Sequence, residues 1–385
     1  MKHFSFAPAA PTSLEQTTDL KSHLATIWST LRLLLQSQLD VKSPQGQELV
    51  ASSIESTLYL LSLLDSPSAE DRAVCDSLAS QMLAADLKQA LPTGRVLLHY
   101  QPVFDLGEFS QQEPTIVGVE ALLRWHHPVR GWIPPSEFIS AVECTPFIYE
   151  LGAWVLREAC LQMQQWHQQG WGSLRLNVNV SVRQLEQPDW ADQVATILAA
   201  TGLAPDCLTL ELTESIAAQD FKATSQQLAT LRSLGIQIGL DDFGTGYSSL
   251  SCLDHLPLDT LKIDRSFVSQ ERWEILKFIV LLASKMGLTV VAEGIETWEQ
   301  LENLRSLGCG LGQGYLFSPP LAPHLLERLL KKSEPEPPRL GEITTPLAYW
   351  RSLLEGLTPL PSLHTHMCSC QSLPALPEEV LCDLC

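Results

Sequence analysis

The strongest constraint in this sequence is an alternation. Between Gly94 and Leu330, short apolar runs of β type take turns with longer amphipathic stretches. The β-type runs cover residues 96–104, 116–124, 174–180, 207–212, 236–240, 260–264, 288–292 and 310–317. Helical patterns separate most of them, at 151–169, 221–234, 271–286 and 297–307. Gly235, Gly287 and Gly308 fall where helix ends take a residue tolerant of left-handed geometry. Strand–helix alternation repeated about eight times in roughly 240 residues predicts an α/β fold, a (β/α)8 TIM-like barrel. A doubly wound open sheet is the alternative architecture.

The chain has 385 residues, more than one ordinary core needs. Three regions are expected: an N-terminal helical region over 1–90, the barrel over 91–332, and a linker with a Cys-rich tail over 333–385. Leu31, Leu34, Leu35 and Val50, Ile54, Leu58, Leu61 carry helical spacing in the first region, giving the barrel a helical extension. The linker begins in the Pro- and Glu-rich stretch from Lys331 to Pro338. A formal net charge of -19 argues against DNA or RNA as a partner, because backbone binding needs a basic surface. No run approaches the roughly 20 apolar residues of a membrane-spanning helix, and the start is too short and Pro-broken for a secretory signal. A cytoplasmic protein is expected. Six of the ten cysteines are scattered between Cys75 and Cys309, where they read as small buried residues.

Strands covered by helices should be nearly all apolar. Here several carry polar groups at or near their carboxyl ends: Glu120, Asn179, Glu211 with Glu214, Asp241 and Asp242, Lys262, Glu293 and Gln313. In a barrel those ends converge on one face, where active sites are built. Crowded carboxylates stay ionised only if cations neutralise them. The donors are all oxygen, with no Cys or His among them, which selects hard ions such as Mg²⁺ or Mn²⁺. Two such ions, about 3.5–4 Å apart, suit attack of water on a phosphodiester, with Lys262 stabilising developing charge. Each residue also has a plainer reading. Glu120 alone could sit on an edge, the Asp-Asp-Phe-Gly-Thr-Gly run could be a turn, and Lys262 could pair with Asp264 at the surface. So many coincidences on one face outweigh those readings.

The same residues carry a resemblance. EALLRWHHP around Glu120, YQPVFDL from Tyr100, PPSEFISAVE from Pro134 and NVSVRQL from Asn179 are similar, in order, to the motifs of bacterial EAL-domain cyclic di-GMP phosphodiesterases. ELTES from Glu211, DDFGTGYSSL from Asp241, LPLDTLKIDRSFV from Leu256, VVAEGIET from Val290 and QGYLFSPP from Gln313 continue the match. The resemblance implies hydrolysis of cyclic di-GMP to linear pGpG on an EAL-type barrel with two Mg²⁺ or Mn²⁺ ions, and inhibition by Ca²⁺. By the same resemblance, Glu120, Asn179, Glu211 and Asp241 hold the first ion, and Asp241 bridges to a second held by Asp242 and Glu293. Lys262 orients the attacking water, Glu293 helps deprotonate it, and Gln313 supports the second ion. Arg124 contacts a substrate phosphate, and Gln101, Asp264 and Glu296 complete the substrate-binding set. Glu214 braces the loop from Asp242 to Leu250, which the family links to homodimer contacts. The connection from Phe267 to the helix near Trp273 is shorter than usual, and Cys144-Thr145-Pro146 and Tyr149-Glu150 are mildly atypical.

Two readings of function therefore stand, a metal-dependent phosphodiesterase and a non-catalytic cyclic di-GMP receptor or scaffold. A barrel that abstracts protons with Lys262 as base, as enolase-like enzymes do, is a weaker third; Asn179 as a ligand counts against it. The N-terminal helices have no GGDEF-like motif and read either as a dimerisation or protein-partner module or as a packed extension. In the tail, His364, His366, Cys368, Cys370, Cys382 and Cys385 offer Zn²⁺ or redox chemistry, although the spacing is no familiar finger. An unstructured tail with incidental thiols is the plainer reading.

Overall fold

The computed structural model describes residues 80–331, apart from 82, 108–114, 129, 215, 217–220, 245–252 and 254. The expected helices before residue 80, the linker and the Cys-rich tail lie outside the described residues. The chain divides into two compact units, Met1–Asp86 with Ser140–Thr145, and Leu87–Ile139 with Pro146–Cys385. Of the first, the described parts are helical residues 80, 81 and 83–86 and the segment 140–145, where the Thr145 hydroxyl donates to the Val142 carbonyl (2.9 Å).

The second unit is the barrel. Its strands are β1 (Val96–Asp105), β2 (Ile116–His127), β3 (Gly131–Ile133), β4 (Arg175–Val180), β5 (Leu208–Thr213), β6 (Gln237–Phe243), β7 (Thr260–Ile263), β8 (Thr289–Ala292) and β9 (Leu311–Gly312). Neighbours run in the order β1-β9-β8-β7-β6-β5-β4-β2-β3, and β1 also pairs with β2, so eight strands close on themselves. From β2 through β9 the barrel pairs are parallel, whereas β1 is antiparallel to both β2 and β9. The barrel is therefore a variant of the regular (β/α)8 pattern. Only a short connection separates β1 from β2, and a parallel pairing would need a crossover of a dozen residues or more.

The parallel strands read as the pattern requires. Every residue from Leu208 to Leu212 is buried, because helices cover the outside and side chains fill the inside. Helices α1 (Pro135–Glu143), α2 (Phe147–Gln168), α3 (Val182–Leu185), α4 (Trp190–Thr201), α5 (Phe221–Ser233), α6 (Arg265–Ser269), α7 (Trp273–Met286), α8 (Trp298–Ser306) and α9 (Pro323–Lys331) follow in chain order. On α2 the buried face is Phe147, Ile148, Leu151, Leu156, Ala159, Cys160, Met163 and Trp166, a helical stripe. Trp166 meets Tyr100 of β1 edge-on at 4.8 Å, and Trp125 of β2 meets Phe138 of α1 at 5.6 Å. Truncating a buried aromatic of this kind typically costs about 3–5 kcal/mol.

Gly235, Gly287 and Gly308 all adopt positive φ, as helix ends at those places require. Two sequence expectations need correction. The last β-type run, 310–317, is a strand only over Leu311–Gly312. Beyond it the backbone of Gly314 lies against that of Ile295, and Leu316 N–H donates to the Ile295 carbonyl (2.9 Å), so the chain leaves the ladder to cross the loop after β8. Cys160 and Cys309 are buried, and burial pushes each thiol up to about 12; Cys144, however, is exposed and Cys207 partly so.

Candidate functional site

Side chains alternate between the two faces of a strand, so one residue type per strand can be delivered to the barrel lumen at a chosen height. Glu120 arrives from β2, Asn177 and Asn179 from β4, Glu211 from β5, Asp241 from β6 and Lys262 from β7. Glu293 follows β8 and Gln313 follows β9. Gln101 of β1 stands opposite Glu120 in the antiparallel ladder.

The centre of the assembly is an ammonium group. Lys262 is completely buried, with Nζ 2.8 Å from Glu293 Oε1, 2.9 Å from Glu211 Oε2 and 3.2 Å from both Glu120 Oε2 and Asp241 Oδ2. Amides tie the carboxylates to one another. Gln313 Nε2 donates to Glu120 Oε2 (2.7 Å) and Glu293 Oε1 (3.0 Å), and Asn179 Nδ2 donates to Glu120 Oε1 (2.6 Å). Asn177 Nδ2 donates to Glu211 Oε1 (2.8 Å). One lysine cannot neutralise four acids, and the charge states show it. Burial pushes the Glu211 carboxyl well above its ordinary range and that of Glu293 up to about 8, with Lys262 opposing in both cases. Burial also disfavours ionised Glu120, but Lys262 and the Gln313 and Asn179 amides together hold it below the usual range. Burial acts against the Lys262 charge as well; the surrounding carboxylates win and raise its pKa.

Asp241 and Asp242 stand inside β6, where the sequence pattern places them after the strand. Consecutive strand residues normally face opposite ways. Here the β6–β7 register shifts between Leu240 and Phe243, and Asp242 has φ 54°, a bulge that re-aims the second carboxylate. Burial, then Asp241 and Asp264, raise the Asp242 carboxyl. As a result two oxygen triads form, Glu120–Glu211–Asp241 and Asp241–Asp242–Glu293, each with ligand atoms within 4.8 Å of one another. Asp241 belongs to both. The chain fits a metal on three counts: the donors are all hard oxygens, they are buried in excess of their counter-charge, and Gln313 Oε1 beside them is a buried acceptor with no partner.

The remaining predicted residues lie around this cage. Gln101 is buried and donates from Nε2 to the Ser318 carbonyl (3.2 Å). Arg124, half-buried higher on β2, donates to the Leu123 carbonyl (3.0 Å). Asp264 caps α6 by accepting from Ser266 N–H (3.0 Å). Glu296 is exposed, and its backbone N–H donates to Gln300 Oε1 (2.8 Å) at the start of α8. Neither Asp264 nor Glu296 belongs to the cage. Glu214 Oε2 accepts from Gly244 N–H (3.2 Å), at the entrance to the segment that begins after Asp242. Asn177 is the one cage residue that the sequence expectations omit. Its signal is the Asn-Val-Asn alternation, which sends Asn177 to the same face as Asn179.

The described residues include no helix long and apolar enough to cross a membrane. The model of the EAL domain matches residues 84–320. The chain belongs to the EAL family. It is 43% identical over 251 residues to the Pseudomonas aeruginosa protein named cyclic di-GMP phosphodiesterase NbdA, covering 64% of this chain and 31% of that protein. This chain thus spans about a third of the length of the curated relatives it matches. Among solved structures it resembles the PaMucR phosphodiesterase in complex with c-di-GMP, at TM-score 0.59 and 41% identity over 63% of this chain and 99% of that one. It also resembles the FimX EAL domain from Pseudomonas aeruginosa bound to c-di-GMP, at TM-score 0.55 and 28% identity over 63% and 97% of the two chains. EAL phosphodiesterases depend on metal, and the buried acidic cage of this family member is able to bind one.

The raised carboxyls carry a pH consequence. Without metal, folded Glu293 keeps its proton up to about pH 8, whereas the unfolded chain loses it near the ordinary 4.5. Between those values folded Glu293 holds the extra proton, so its contribution to stability falls as pH rises and levels off above about 8. Denaturant midpoints in the presence of a chelator should therefore drop from pH 5 to pH 8. Added Mn²⁺ should flatten that slope, since bound metal keeps its ligands ionised. A midpoint that rises over this interval would contradict the charge assignment.

Proposed function

We propose that this chain hydrolyses cyclic di-GMP to linear pGpG with two Mg²⁺ or Mn²⁺ ions held at the cage. The observation that supports it most directly is the pair of oxygen triads sharing Asp241. In this reading Glu120, Asn179, Glu211 and Asp241 hold one ion, and Asp241, Asp242 and Glu293 hold the other. When bound, the ions supply Lewis acidity toward the scissile phosphate and an acidified water.

The side chains do the rest. Lys262, fixed by four carboxylates, presents a charge that cannot swing away, and it orients the water and stabilises the developing negative charge. Glu293 accepts the proton of that water, and Gln313, bonded to Glu120 and Glu293, keeps the two triads in fixed relation. Arg124 pairs with a substrate phosphate, and Gln101 holds the dinucleotide from the facing strand, with Asp264 and Glu296 at the rim. The same reading takes residues 91–332 as the catalytic domain of a cytoplasmic homodimer. Its dimer-linked loop is tethered through Glu214 and Gly244, and the exposed Ile275, Phe278 and Leu281 of α7 offer apolar surface for contact.

The test is direct. Purified protein incubated with cyclic di-GMP and Mg²⁺ or Mn²⁺ should release pGpG, and Ca²⁺ should suppress the release because its looser coordination misplaces the water. Tight binding with no turnover in either metal would replace this reading with that of a receptor.

A further inference from the structure

Above the cage, the barrel mouth has a wall made by β2 and β3. Along β2 the odd positions Val119, Ala121, Leu123 and Trp125 are buried. The even positions face the lumen and emerge as the strand rises: Glu120 is buried, Leu122 and Arg124 are half-buried, and His126 is exposed. β3 pairs Trp132 with His126, which puts the indole on the lumen face, with the two rings edge-on at 5.1 Å. From the other side comes His99. It lies two residues from Gln101 on the same face of β1, opposite Leu122, with its ring 6.2 Å from that of Trp132.

This arrangement pins a large aromatic at the opening. Trp132 keeps 36% of its surface exposed, although imidazoles flank it on two sides. His99 is half-buried, and burial, then the nearby Arg124 charge, lowers its pKa to about 4. A neutral ring can sit beside Arg124 without repelling it. Height also fits. His99 stands one pleat repeat, about 7 Å, above the layer of Gln101 and Glu120, and the indole is one ring contact further on.

We propose that Trp132 is the stacking platform for a guanine of the dinucleotide, with His99 and His126 as its positioning residues. Every base offers a π-face to an indole, and a rigid, half-exposed ring stacks with little loss of entropy. The Arg124 guanidinium, on the same lumen face of β2, meets a phosphate of the same ligand. One wall then reads both base and backbone, while the cage below carries out the chemistry. The inference rests on the cyclic di-GMP reading above.

The experiment compares wild type, Trp132→Ala and Trp132→Phe by Kd for cyclic di-GMP, Kd for Mn²⁺ alone, KM and kcat. Trp132→Ala should raise the dinucleotide Kd and KM about tenfold or more, the usual scale of one lost stacking contact. The value of kcat and the Mn²⁺ affinity should stay near wild type, because the cage is untouched. Trp132→Phe should recover most of the loss. An unchanged dinucleotide Kd in Trp132→Ala overturns the inference and leaves the phosphodiesterase reading standing. Weakening of Mn²⁺ binding by the same factor makes Trp132 merely structural and also overturns it. Wild-type protein that binds no cyclic di-GMP sinks the functional reading itself.

Discussion

Lys262→Met should be the most damaging single substitution in the barrel, and its damage should depend on pH and metal. The replacement is similar in length, so packing changes little; the loss is electrostatic. Four carboxylates lie within 3.2 Å of Nζ, and the Lys262 side chain is wholly buried. Removing one partner from a buried ionic cluster costs about 3–5 kcal/mol, because the remaining charge is left without compensation. At low pH the cage has an escape, since Glu211 and Glu293 already hold protons tightly. Protonating them relieves the repulsion. The destabilisation in chelator should therefore be larger at pH 8 than at pH 5. Mn²⁺ should restore much of the lost stability by supplying positive charge, while turnover stays at least about a hundredfold below wild type, the scale of one lost electrostatic donor. Denaturant melts at both pH values, with and without Mn²⁺, check each part. Equal stability of the two proteins in chelator at pH 8 would mean the ammonium is not what holds the acids together.

How much of this was legible beforehand differs between fold and site. The strand–helix rhythm reads clearly because helix-covered strands must be apolar and helices must be amphipathic, so β4 through β8 and helices α2, α5, α7 and α8 stand close to where the pattern puts them. The direction of β1 was not legible. A run such as 96–104 is equally apolar either way, and only its short link to β2 argues for an antiparallel pair. In the site, the carboxylates stood out because an ionisable group in an apolar strand is costly and needs a reason. Asn177 did not stand out, since an asparagine costs less and its partner Glu211 is 34 residues away. The bulge at Asp242 was hidden for another reason. Two adjacent aspartates after a strand look like a turn, and only the positive φ reveals how both reach one face. Trp132 gave no sign, because a single exposed aromatic is ordinary until neighbouring strands bring His99 and His126 around it.

Glu120→Ala should abolish turnover with far less harm to the fold than Lys262→Met. Two effects oppose each other in the metal-free protein. The substitution strips an acceptor from three donors, but Lys262 Nζ keeps Glu211, Asp241 and Glu293, and Gln313 Nε2 keeps Glu293. The loss therefore falls on the exposed Asn179 amide and stays below the roughly 1–3 kcal/mol of an unpaired buried donor. It also removes one of the four acids competing for a single ammonium, which relieves Glu211 and Glu293, whose carboxyls Glu120 helps to raise. Metal binding has no such compensation. Glu120 is one of three oxygens in the first triad, and its loss should weaken Mn²⁺ there by more than the roughly 10–100-fold that a supporting residue costs. The decisive measurement is a double-mutant cycle in chelator at pH 8. If the two charges stabilise each other, Glu120→Ala combined with Lys262→Met should lose less stability than the sum of the single losses, since the double variant deletes an acid along with its counter-charge. Strict additivity would mean that Glu120 and Lys262 act independently. Wild-type turnover in Glu120→Ala would remove the first triad from the reaction altogether.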